Sequence, residues 1–157
     1  CAPLTLSDAE LSYVSETKYL GVVITAARSF RCSFDHVKLK FYRCFNAVYN
    51  RAKHADSELV CVQLLKSFCL PIILYAVEVV MPSKTVLRML DNLLNRAVYK
   101  IFGCSTAFDI RYIRSTVDLP SIDDIVYKRN DKFARSFKAS GLSLADYVLH
   151  VCNIYSG

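Results

Sequence analysis

The sequence predicts a mainly α-helical protein, a multi-helix bundle preceded by a small N-terminal β-hairpin and strand element. Three observations predict it. From residue 33 onward apolar residues recur at steps of three and four, the spacing of one helix face. Before residue 28 they alternate or cluster in short runs, as strands do. The 157 residues include 4 Gly and 4 Pro, too little breaker material for long linkers, and no internal repeat is visible. Hydrophobic residues make up 54% of the chain, which excludes disorder and allows a real core.

The β element opens with "LTL" and "LSYV" around a polar turn, "SDAE". "TKYLGVVIT" follows at residues 17–25 and reads as one strand. Gly21 sits in its middle, where glycine weakens a strand and marks a bulge or the close approach of another chain.

A first helix is expected from about Ser33 to His54, capped by Ser33 or Asp35. Val37, Phe41, Cys44, Phe45 and Val48 form its apolar face. A second runs from about Ser57 to Val80, with Asp56, Ser57 and Glu58 at its start and a kink or break expected at Pro71. A third runs from Ser83 to Phe102 and stops at Gly103; its stripe is Val86, Leu87, Leu90, Leu94, Ala97, Val98 and Ile101. A short helix lies within "TAFDIRYIRSTV". Another starts at a Ser121 cap and stops at Gly141, and a last short one begins near Ser143.

The formal net charge is +6, a balance that favours polyanionic partners. The charge is concentrated. From His36 to His54 there are five basic residues, Lys38, Lys40, Arg43, Arg51 and Lys53, and no acidic one. His36, Lys40, Arg43 and Asn50 fall on the polar face, opposite Phe41 and Phe45, with Tyr42 and Tyr49 on the flank. Such a face suits phosphates, read without regard to sequence. A second basic group, Lys128, Arg129, Lys132, Arg135 and Lys138, is interrupted by Asp131 and reads as a solvated face.

Other chemistry is weakly supported. The seven cysteines, at 1, 32, 44, 61, 69, 104 and 152, form no C-x-x-C pair and read as reduced, buried residues of an intracellular protein. A zinc site from Cys32, His36, Cys44 and His54 lacks compact ligand spacing. Asp123 and Asp124 are adjacent, as in metal-binding turns, but they open a helix, where acids collect for electrostatic reasons. A metal enzyme built on them would need Asp109, Asp118 or Asp131 as a third ligand. There is no Gly-rich phosphate loop. "FCLPIILYAVEVVM", residues 68–81, is too short for a bilayer and contains Glu78, so it reads as buried core and no membrane partner is expected. The N-terminus does not resemble a signal peptide, and its opening Cys1 reads as the start of a piece of a longer polypeptide.

The order of segments then carries a resemblance. "KYLGVVI", "LLKSFCLPIILYA" and "LDNLLNRAVYKIFG", co-linear over about residues 4–138, resemble the region downstream of the catalytic box in reverse transcriptases of non-LTR (LINE-type) retrotransposons. The resemblance implies an end-of-palm β element at 1–28, a thumb-like helical bundle at 29–104 and a truncated helical extension at 105–157. It implies that Tyr19, Leu20 and Gly21 are primer-grip residues. It implies that Lys38, Lys40, Arg43, Arg51 and Lys53 track the phosphates of an RNA–DNA hybrid. The partners are then RNA template, DNA primer and the rest of the polymerase, in a ribonucleoprotein of nucleus and cytoplasm. No cofactor is expected in this chain. The catalytic aspartate turn, and with it Mg2+, would belong to the parent, so the piece alone should not polymerise. The rival expectation is a helical protein–protein interaction module from a decayed element, without nucleic-acid binding.

Overall fold

A computed structural model describes residues 4–6, 9–28, 31–54, 57–80, 82–104 and 106–139. The order is five short strands followed by helices, so the mainly helical class with a small β element is observed. The chain divides into two compact units, Cys1–His36 and Val37–Gly157.

The first unit holds two antiparallel sheets. β1 (Leu4–Leu6) pairs with β2 (Ala9–Leu11). Leu6 pairs with Ala9, so β2 begins inside the segment expected to turn and ends before "SYV". The second sheet has order β3-β4-β5, with β3 at Glu16–Tyr19, β4 at Val22–Thr25 and β5 at Arg31–Ser33. The single strand expected across "TKYLGVVIT" is therefore a hairpin. Tyr19 pairs with Val22, and Leu20 and Gly21 form the turn. Both turn residues have positive φ, 45° and 83°, as the tight turns that match strand twist require. Glycine at 21 thus serves the left-handed backbone, not a bulge within a strand. The ladder continues past the strand ends, where the Ala26 N–H donates to the Ser15 carbonyl at 2.8 Å. Gly21→Val is expected to cost about 1–2 kcal/mol, the strain of a Cβ at positive φ. Faster amide exchange across Val22–Thr25 would register it, and unchanged exchange would mean the turn relaxes at no cost.

In the second unit α1 (Asp35–Ala52) buries Val37, Phe41, Phe45 and Ala52 along one face. Phe41, Phe45 and Tyr49 stack in sequence at four-residue steps, with centroids 6.0 and 5.7 Å apart. Cys32 lies in β5, not on the helix, so it does not share a helix face with His36 as expected.

The helix expected at 57–80 is broken into pieces. α2 (Glu58–Leu64) runs into a π-helical turn at Leu65–Cys69, then α3 (Leu70–Ile73) and α4 (Val77–Val80). Pro71 has no N–H for the Ser67 carbonyl, and the widened turn falls just before it. A turn at residues 74–76 then separates α3 from α4, with Ala76 at φ 59°. The segment that looked like one apolar spine is therefore no continuous span, and Glu78 within it binds Arg129 at 3.0 Å. No helix among the described residues is long and apolar enough to cross a membrane.

α5 (Lys84–Phe102) is the central helix and packs against α2, α6 and α7. Its ends fall where the sequence puts them. The Val86 N–H donates to the Ser83 hydroxyl at 3.4 Å, and Gly103 closes the helix at φ 63° with its N–H on the Tyr99 carbonyl. Leu93 joins Leu90, Leu94, Ala97 and Val98 in the core, which the expected stripe omits. A Cβ at Gly103 would meet nothing within 4 Å, so Gly103→Ala isolates the backbone term. A loss of about 1 kcal/mol in urea unfolding is expected from the left-handed conformation alone.

α6 (Ala107–Thr116) starts with a capping box between Thr106 and Asp109. It ends in a Schellman motif: Leu119 N–H donates to the Arg114 carbonyl, and Asp118 N–H to Ser115, with Asp118 at φ 50° in place of the usual glycine. α7 (Ile122–Ala139) follows at once. The boundary expected at residue 104 falls inside the second unit, where α6 and α7 both pack on α5. The end expected at Gly141 and the helix expected from Ser143 lie outside the described residues.

Arg114 fastens this part of the bundle. It is 7% exposed and forms two hydrogen bonds to the Asp91 carboxylate of α5, at 3.0 and 2.9 Å. Its remaining donors reach Asn95 Oδ1 and the carbonyls of Leu119 and Pro120. Asp91 also accepts from the Ile122 N–H, the first of α7. One ion pair thus ties α5 to the α6–α7 turn.

Candidate nucleic-acid interface

Lys38, Lys40, Arg43, Arg51 and Lys53 are all exposed. The helical period sorts them. Arg43, Ala47 and Asn50 face directly away from Phe41 and Phe45, and Lys40 and Arg51 stand to one side of that line. Lys38 lies on a different stripe with Tyr42 and Tyr49, and Lys53 follows the last helical turn. Lys38 therefore stands on a second line, on the opposite flank from Lys40 and Arg51, and Lys53 lies beyond both.

The second line meets α5. Arg96 Nη1 donates to the Tyr42 hydroxyl at 3.2 Å, and Lys100 Nζ donates to Asn46 Oδ1 at 3.1 Å. Both bonds join residues 54 apart, so α1 and α5 run side by side in the same direction. Lys100 also sits over the rings of Tyr49 and Phe45, 4.9 and 5.7 Å from their centroids. Arg96 and Lys100 are exposed, and their addition widens the basic surface from one helix to two. Sequence reading missed them because periodicity assigns faces, not neighbours. The available signal was weak: two cations four apart on the polar side of α5.

Glu58, at the start of α2, shares a pocket with Tyr49 and Lys53 at the far end of α1; the acids of α1 and α5 stand elsewhere. Asp35 stands at the first position of α1, and Asp91 is the single acid of α5. Asp91 points to the opposite flank and is held by Arg114. The stretch from His36 to Ala52 and the α1-facing side of α5 are free of acidic side chains.

The primer-grip candidates behave differently. Tyr19 and Leu20 are 65% and 73% exposed at the hairpin tip, and Gly21 is the second turn residue. The tip belongs to the first unit and the basic helices to the second.

Other candidate sites are not assembled. Asp123 and Asp124 open α7, and Asp124 is engaged with Ser121: its N–H donates to the Ser121 hydroxyl, which donates back to its carboxylate. Asp109 serves the α6 cap and Asp131 is paired with Arg135. Among the described residues no three His, Cys, Asp or Glu side chains gather to hold a metal ion. Of the cysteines, Cys44 and Cys69 meet with sulfurs 3.6 Å apart, and burial above all pushes the Cys69 thiol up to about 12. Cys61 is also buried, while Cys32, Cys44 and Cys104 are half-buried; all five are free thiols. Within the downstream cluster Arg129 and Arg135 are spent on Glu78 and Asp131.

The chain matches no protein-family model, no curated protein and no solved structure.

Proposed function

We propose that this chain is the end-of-palm and thumb segment of a non-LTR retrotransposon reverse transcriptase, which holds primer and template by their backbones. The observation that carries the reading is the outward stripe of α1, exposed, basic and free of acid over its whole length. A basic stripe without acids suits a phosphate backbone, which such residues hold without reading sequence. The absence of a base-reading arrangement is no obstacle, because a hybrid duplex is recognised by shape and backbone. The exposed hairpin tip, Tyr19 and Leu20, supports the primer-grip part of the reading. Gly21 serves it by forming the turn that presents them.

The rival account is a helical module for protein contacts. It expects the basic face of α1 to be buried against other segments or a partner, and within this chain the stripe is exposed. Photo-crosslinking discriminates between the accounts. With a 4-thiouridine-substituted RNA–DNA hybrid, adducts are expected on peptides covering residues 36–54. Adducts confined to α7, or none, would favour the protein-contact module.

A further inference from the structure

We infer that Arg96 and Lys100 form a rail for two successive phosphates on one strand of the bound nucleic acid. The inference rests on the backbone-binding reading above and adds a second helix to the site. The two cations stand four residues apart on α5, which separates them by about 6 Å along the axis. That is close to the step between neighbouring phosphates of one strand.

Their placement is what distinguishes them from ordinary surface cations. An exposed lysine or arginine loses rotamer freedom when it grips a phosphate, and this opposes binding. Here the loss is already made in the free protein. Tyr42 accepts one hydrogen bond from Arg96. Asn46 accepts one from Lys100, whose ammonium also rests over Tyr49 and Phe45. These partners are neutral, so the full positive charge remains available. An ammonium has three donors and a guanidinium five, so each cation keeps donors for an anion. A carboxylate at position 42 or 46 would have held the cations equally well and cancelled them.

The test is a salt titration of hybrid binding by the whole 157-residue chain and three variants. Arg96→Ala with Lys100→Ala is expected to reduce the log–log slope by about two, one for each phosphate contact. Arg96→Lys with Lys100→Arg keeps both charges and should retain the parent slope. Lys40→Ala with Arg43→Ala reports on the α1 stripe independently. A slope that stays at the parent value in the Arg96/Lys100 alanine variant, while Lys40/Arg43 lowers it, overturns the rail and leaves the functional reading intact. Equal losses in the alanine and charge-swapped variants also overturn the rail, since charge would not be the cause. A parent chain without salt-dependent binding overturns the functional reading and the rail together.

Discussion

Replacing Arg114 with alanine is expected to lower the stability of the helical unit by about 3–5 kcal/mol, the usual result of removing one partner of a buried ion pair. The reason lies in what remains behind. The Asp91 side chain is 23% exposed and would be left without its guanidinium partner. The carbonyls of Leu119 and Pro120 would lose their donor in the same step. The turn between α6 and α7 would lose its tie to α5. Arg114→Lys should fall between parent and alanine, because an ammonium cannot reproduce the forked contact with Asp91. Urea unfolding measures both, with a shifted midpoint at unchanged m expected. A loss below about 1 kcal/mol for alanine would place the pair among ordinary surface ion pairs. Apolar packing of Leu119 and Ile122 would then be what holds the turn.

Lys40→Glu together with Arg43→Glu should weaken hybrid binding by at least about tenfold at moderate salt and flatten its salt dependence. Both residues are exposed on the stripe opposite the core, so folding should change little. The variant reverses two charges in the middle of a line that holds no acid. Repulsion from phosphate then replaces attraction over adjoining turns of α1. Fluorescence anisotropy against a labelled hybrid reads the result. Unchanged affinity would remove α1 from the interface.

Parts of this architecture were legible in the sequence, and the reasons differ by element. α5 was readable at both ends because Ser83 and Gly103 are residues with one local job each, a cap and a left-handed stop. α1 was readable because most of its apolar and basic residues separate on a period of 3.6, with Lys38 and the exposed Leu39 as the exceptions. The β3–β4 turn was not. Leu20 is an unusual residue at positive φ, and apolar neighbours on both sides hid the reversal inside what looked like a strand. The π-helical turn was hidden too, since Pro71 marks a disturbance without telling how the preceding turn absorbs it. The span of α6 was legible, since the helix expected within "TAFDIRYIRSTV" runs Ala107–Thr116; its left-handed stop was not, because Asp118 stands where glycine is expected.

Tertiary pairings were the least legible. Arg114 and Asp91 are 23 residues apart, and nothing local marks them as partners. Arg96 and Lys100 join α1 across 54 residues, and this pairing depends on two helices lying parallel. The basic line of α1 could be found from the sequence, whereas the two-helix surface it belongs to could not.

The central claim is that this chain holds nucleic acid by its phosphates. Its most direct test is a salt titration of the unmodified chain on a short RNA–DNA hybrid, followed by anisotropy. Affinity that falls linearly on log–log axes, with a slope of several contacts, is the predicted result. Absence of binding at low salt, or binding indifferent to salt, would contradict the account and leave the exposed basic face of α1 to a protein partner.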